Sequence, residues 1–149
     1  MIETIKYIII TPVRDEAQYI ERTLKSVVDQ TILPCEWIIV NDGSIDRTGE
    51  IIDEYAKKYE WIRTIHRGDR GFRKAGGGVV EAFYVGYKAI KTEKWDFIVK
   101  LDGDLSFEND YFKRIFDYFK RSPDIGIGGG SIYNIINDAK SGIFAKPDF

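Results

Sequence analysis

The stretch FIVKLDGDLSF, residues 97–107, decides how this chain is read. A mostly apolar run stops at two aspartates, Asp102 and Asp104, with Gly103 alone between them. A buried strand that ends in paired carboxylates either turns into solvent or presents acid to a ligand. The same succession of strand and polar end occurs twice more. IKYIIIT (5–11) is apolar and β-branched and runs into PVRDE (12–16), and EWIIVN (36–41) runs into DGS (42–44). Continuous apolar runs of this length are the signature of strands covered on both faces.

Helical periodicity fills the intervals. Ile20, Leu24, Val27 and Val28 mark a helix to about Gln30, and Asp15 and Gln18 are spaced as a capping box. Asp46 stands where it can cap a second helix, whose inward face is Ile51, Ile52, Tyr55 and Tyr59. IRTIH (62–66) is a short third strand, and RGDRGFRKAGGG (67–78) is a basic glycine-rich loop. Val80, Phe83, Tyr84, Tyr87 and Ile90 predict the apolar face of a third helix. DFIVKL (96–101) is the fourth strand, and Tyr111, Phe112, Ile115, Phe116 and Phe119 mark a fourth helix. IGIGGGSIYNI (125–135) reads as a fifth strand interrupted by glycines. Pro12 is expected to end the first strand. Strands and helices in alternation predict an α/β fold, a mostly parallel sheet with helices on both faces. Ligands of such sheets bind beyond the carboxyl ends of the strands. Thr11 to Glu16, Asn41–Asp42 and Asp102 to Asp104 are therefore expected along one edge.

The bulk properties narrow the function. The 149 residues are 44% hydrophobic and 31% charged, a folded composition without repeats or linkers, and predict one domain over 1–149. A net charge of −2 argues against a dedicated nucleic-acid binder. The single cysteine, Cys35, excludes a disulfide within the chain and is expected to be a small buried group; the single histidine, His66, excludes a multi-histidine zinc site. The apolar part of MIETIKYIIITP is too short to span a membrane and lacks a signal-peptide cleavage region. A cytoplasmic chain with no transmembrane segment is expected, with peripheral membrane association left open.

Two carboxylates separated by one glycine can face a small volume, and oxygen-only donors suit Mg²⁺ or Mn²⁺. Two are too few to cage the ion, which would complete its shell with water and substrate phosphates. Taken alone, Asp-x-Asp is better read as a solvated acidic turn. Neither acidic stretch has the Gly and Glu spacing of a calcium-binding EF-hand. Asp42, when ionised, only accepts hydrogen bonds. If it reads a base, it favours the N–H edges of uracil, thymine or guanine over the acceptor nitrogens of adenine and cytosine; otherwise it serves its own Asp-Gly-Ser turn. Ser44, Asp46 and Thr48 read as turn and cap residues. Arg67, Arg70, Arg73 and Lys74 could neutralise phosphates, and GGG (76–78) ahead of a helix could offer N–H groups to an anion; a solvated loop explains any one of them equally well. No P-loop pattern is present.

IIITPVRDE (8–16), IIVNDGSIDRT (38–48) and FIVKLDGD (97–104), in this order and each on a strand, closely resemble the nucleotide-sugar-binding half of family 2 glycosyltransferases of the GT-A fold. The resemblance covers residues 5 to about 130. Pro12 and Glu16 match the family's P-x-Y-N-E, with Arg14 in place of the aromatic and Asp15 in place of the Asn; a guanidinium plane can still stack on a base. The resemblance implies that the loop Thr11–Glu16 borders the base, that Asp42 reads it, and that Asp102 lies near the ribose and metal. It also implies that Gly103 belongs to the donor site, that Asp104 coordinates Mn²⁺ or Mg²⁺, and that Arg70 and Lys74 help hold the nucleotide. The implied reaction moves a sugar from a nucleoside diphosphate sugar, UDP or else GDP or dTDP, to an acceptor hydroxyl. The residues after Asp104 hold no Glu-Asp pair and no Q-x-x-R-W, and Asp138 and Asp148 are the only aspartates after residue 130; Asp138 is the candidate base of a minimal enzyme, and the alternative expectation is that the acceptor-binding half is absent or truncated. The alternatives are a nucleotide-sugar-binding module without transfer, a sugar-phosphate nucleotidyltransferase and a receiver-like domain. The second of these lacks its G-x-G-T-R-L signature, and NDGS and DGD fit the third poorly.

Overall fold

The computed structural model describes residues 4–69, 71, 77–136 and 139–142. The chain divides into two compact units, Met1–Tyr111 and Phe112–Phe149. The first is built on four parallel strands, β1 (Tyr7–Val13), β2 (Glu36–Asp42), β3 (Ile62–Arg67) and β4 (Phe97–Lys100), in the order β3-β2-β1-β4. The chain winds outward from β1 through β2 to β3, then returns past β1 to place β4 on its other side. β1 and β2 are buried along their whole length, as their unbroken apolar runs predict.

Helices α1 (Ile20–Val28), α2 (Thr48–Lys58) and α3 (Gly77–Lys88) cover the sheet. Thr64 of β3 donates its hydroxyl to Asp53 of α2 at 2.7 Å, whereas its neighbour Ile65 packs with Ala82 of α3 against Ile38 and Val40. Adjacent strand residues face opposite sides, so α2 and α3 lie on opposite faces, as expected of this fold class. Ile20, Leu24 and Val27 of α1 are buried at helical spacing.

Four local expectations are corrected. Pro12 does not end β1: it pairs with Val40, and the strand runs on to Val13. Ile10 accepts from Leu101 N–H at 3.0 Å, and Pro12, two residues on, faces the same neighbour. The missing proline N–H thus falls where β4 departs, so it loosens only the β1–β4 side. Asp15 does not cap α1; it takes a left-handed conformation (φ 53°), and the helix starts at Ile20 without a side-chain cap. The third helix buries Gly78, Ala82 and Gly86 and exposes Val80, Tyr84 and Tyr87. A Cβ on Gly86 would come within 2.6 Å of Ile10 Cγ2 and 3.1 Å of Val40 Cγ2, so α3 sits too close to the sheet for its aromatic face to turn inward. Cys35 is exposed.

In the second unit, α4 (Tyr111–Arg121) buries Phe112 and Phe116, whose rings stack with centroids 6.2 Å apart. Residues 125–135 do not form a fifth parallel strand. Strand β5 (Tyr133–Ile136) pairs antiparallel with β6 (Ala139–Gly142) in a separate two-stranded sheet, and the glycine-rich stretch before it carries no strand. Backbone without side chains gives a strand little to pack.

Candidate functional site

The carboxyl ends of β1, β2 and β4 frame a cleft of about 320 Å³. From β1 and its loop come Pro12, Val13, Arg14 and Glu16, and from β2 comes Asp42. Lys100, Asp102, Gly103 and Asp104 enter from the end of β4, and Gly78, Val79 and Ala82 from the start of α3. The cleft lies where strand order reverses between β1 and β4, the usual ligand position in open parallel sheets.

The loops after β1 and β2 are tied to each other. Asp15 N–H donates to Ser44 Oγ at 2.9 Å, Glu16 N–H to Thr48 Oγ1 at 2.8 Å, and Ala17 N–H to Asp46 Oδ2 at 3.0 Å. In return Ile45 N–H donates to Asp15 Oδ1 at 2.8 Å. Asp46 also accepts from Thr48 N–H at 2.9 Å, at the start of α2. Burial opposes its ionisation, but the Thr48 hydroxyl and the N–H groups of Thr48 and Ala17 outweigh it and lower its pKa. Ser44, Asp46 and Thr48 are thus structural ties, as turn and cap residues should be. Gly43 holds φ 73°, and a Cβ there would stand 2.6 Å from Asp69 Cα, so the turn admits glycine alone.

Behind the turn, Asn41 Oδ1 accepts from Ser44 N–H at 3.0 Å, which points its NH₂ at His66 Nδ1, 3.0 Å away. That ring nitrogen must therefore accept, and Nε2–H donates to Asp53 Oδ1 at 2.9 Å. Burial of Asp53 opposes its charge, but Thr64 and His66 outweigh it and lower its pKa.

Asp42 is buried to within 6% of full exclusion, and its Oδ1 lies 2.8 Å from Arg67 NH1. Arg67 NH2 also approaches Glu81 at 3.7 Å. Arg14 donates from NH1 to the Asp42 carbonyl and from NH2 to Asp69 Oδ1, each at 2.8 Å. These bonds use the edge of the guanidinium and join three loops. The Gly71 N–H and then Arg14 hold the Asp69 carboxyl below its ordinary pKa.

The Asp102–Gly103–Asp104 turn is seated against the end of β1. A Cβ on Gly103 would stand 2.7 Å from Val13 Cγ1 and 3.2 Å from Ile20 Cδ1, so only glycine lets the two aspartates reach this position. Lys100 Nζ hydrogen-bonds Asp102 Oδ1. No group of three or more metal-ligating side chains gathers among the described residues. The two aspartates nevertheless fit a hard divalent cation, since they are oxygen donors on an open cleft and such ions take the rest of their shell from water and phosphates.

Of the sequence-predicted site residues, Pro12, Arg14, Glu16, Asp42, Asp102, Gly103 and Asp104 come together on the cleft. Thr11 does not: it is fully buried, and its hydroxyl accepts from Trp37 Nε1 at 2.8 Å. Arg70, Lys74 and Asp138 lie outside the described residues. Sequence reasoning missed Lys100 and the contact of Arg67 with Asp42. A lysine ending an otherwise apolar strand was the available signal for the first.

The chain is similar to known proteins in sequence and in fold. The chain is 32% identical over 133 residues to the uncharacterized glycosyltransferase EpsJ of Bacillus subtilis (strain 168), covering 89% of this chain and 36% of EpsJ. It thus spans little more than a third of that relative. S. aureus TarS 1-349, solved in complex with UDP, superposes with a TM-score of 0.61 at 21% identity, over 78% of this chain and 32% of that one. The mannosyltransferase PcManGT from Pyrobaculum calidifontis, solved with GDP-Man and Mn2+, gives 0.63 at 18% identity, over 79% and 33%. The fold is GT-A. Residues 8–142 match the model of Glycosyl transferase family 2, and the chain belongs to that family.

Proposed function

We propose that this chain is the donor-binding part of a glycosyltransferase that takes a sugar from a UDP-, GDP- or dTDP-sugar to an acceptor hydroxyl with the help of Mn²⁺ or Mg²⁺. The observation that carries the reading is the convergence of Asp42, Asp102 and Asp104 on one cleft at the strand-order reversal, beside the start of α3. Asp42 accepts the N–H edge of the base, with Arg14 along the same wall. The first turn of α3, at Gly78 and Val79, offers N–H groups and the positive end of the helix dipole to a diphosphate. Asp102 and Asp104 would hold the metal, which supplies Lewis-acid neutralisation of the departing diphosphate. Arg70 and Lys74 are assigned to the nucleotide on the family resemblance alone, and Asp138 to the acceptor proton only as an aspartate late in the chain. The metal reading draws support from PcManGT, solved with Mn2+, and the choice of base from TarS and PcManGT, solved with UDP and GDP-Man.

Calorimetric titration with UDP, GDP, dTDP and ADP, with and without Mn²⁺, tests this reading. At least one of the first three binds, and chelation weakens it. Asp104→Ala removes the metal dependence, and Asp42→Ala brings the preferred nucleotide and ADP to within about tenfold of each other, the scale of one lost charge-assisted hydrogen bond. Equal, metal-independent affinity for UDP and ADP would defeat the proposal. Turnover of a bound nucleotide sugar separates a transferase from a binding module, which binds and does not turn over.

A further inference from the structure

We propose that Lys100 is a displaceable stand-in for the divalent cation. It occupies Asp102 while the metal is absent, and turns to the donor diphosphate once a metal takes that carboxylate. The inference rests on the donor-site reading above. Lys100 is the last residue of β4, its side chain and that of Asp102 are 45% and 52% exposed, and both line the cleft with Asp104. Among the described residues the other cation on the lining, Arg14, is engaged by the Asp42 carbonyl and by Asp69, and the Asp42 carboxylate is met by Arg67. Asp102, Asp104 and Glu16 give the same cleft three further formal negative charges. A diphosphate cannot settle beside them without cations. An exposed ammonium–carboxylate pair opens at small cost, and lysine is a flexible point charge with three donors. Metal and ammonium compete for the Asp102 carboxylate, and release of the ammonium favours the diphosphate. Opening of one pair therefore serves both ligands, which makes metal and nucleotide binding mutually reinforcing; by linkage the reinforcement is equal in both directions.

The test compares wild type, Lys100→Met and, as a control for general charge, Lys25→Met on α1, which pairs with Glu21 away from the cleft. Mn²⁺ alone, UDP alone and UDP in saturating Mn²⁺ are titrated by calorimetry, and melting confirms that all three proteins fold. Lys100→Met tightens Mn²⁺ alone by up to about fivefold, the scale of an exposed ion pair. It weakens UDP in saturating Mn²⁺ on the order of tenfold, the scale of a lost charge-assisted contact. The reinforcement between the two ligands shrinks, and Lys25→Met changes none of these values. Shifts of the same sign for metal and UDP, an unchanged metal affinity, or equal effects from the two variants overturn the role of Lys100 and leave the donor site standing. If wild type binds none of UDP, GDP and dTDP, the donor-site reading fails and this inference falls with it.

Discussion

Glu36 shows how a single residue can fix the end of the sheet remote from the cleft. It is 4% exposed at the amino end of β2 and accepts from Lys91 N–H, Thr92 N–H and Thr92 hydroxyl at 3.0, 3.0 and 2.9 Å, and from Arg63. Burial pushes its pKa up, but these donors outweigh burial and the net shift is downward from 4.5. Its folded-state pKa thus lies below the unfolded one, so its contribution to stability is full above the unfolded value and fades as pH falls through the folded one. Glu36→Ala, which removes the acceptor of two N–H groups and of the Thr92 hydroxyl and leaves Arg63 its bond to the Ala89 carbonyl, costs about 2–4 kcal/mol in urea unfolding at pH 7. The penalty shrinks as pH falls below the ordinary 4.5 and through the lowered folded value, and nucleotide affinity does not change. A variant as stable as wild type at pH 7 would show that these bonds contribute nothing net. Nothing local to Glu36 points to this role, because Lys91 and Thr92 lie 55 and 56 residues away.

At the scale of elements, helix α3 separates periodicity from packing. The heavier apolar stripe, Val80, Phe83, Tyr84, Tyr87 and Ile90, has correct helical spacing and is the natural choice for the inner face, yet Val80, Tyr84 and Tyr87 are exposed, and Ile90, which packs on the core, lies past the helix end. The stripe of Gly78, Ala82 and Gly86 is equally periodic and is the one buried. Gly86→Ala gains about 1 kcal/mol of helix propensity but drives a methyl into Ile10 and Val40 at a cost of about 1–3 kcal/mol, so it lowers stability by up to about 2 kcal/mol net. A raised melting temperature would show that α3 can lift from the sheet without cost. The loops after β1 and β2 were legible as turns from Asp, Gly, Ser and Thr. Their mutual ties were not, since each bond spans about 30 residues of sequence and depends on the two strands being neighbours.

At the scale of the whole molecule, the first unit is organised around β1 and β2. Both are inner strands of the order β3-β2-β1-β4 and are buried throughout, whereas β3 and β4 are only partly covered. Amide exchange followed by NMR is slowest in Ile8–Ile10 and Ile38–Val40, and faster in β3 and β4, because opening an outer strand exposes less apolar surface. Slower exchange in β4 than in β1 would contradict this hierarchy. Among the described residues no helix is long and apolar enough to cross a membrane. Asp42 closes the buried strand β2, and the DGD turn, although it follows the outer strand β4, is seated against Val13 at the end of β1.

The sequence by itself determined the alternation of strands and helices, the parallel sheet and the acidic residues at three strand ends. Unbroken β-branched runs and helical periodicity are local properties that leave little choice of element. Tertiary structure alone decided the strand order, which stripe of α3 meets the sheet, the escape of residues 125–132 from any strand, and the contacts of Arg67 with Asp42 and Lys100 with Asp102. These outcomes turn on how closely distant segments can approach. A glycine without a Cβ, a proline without an N–H and a lysine long enough to reach an adjoining turn settle such distances only when the partner is in place.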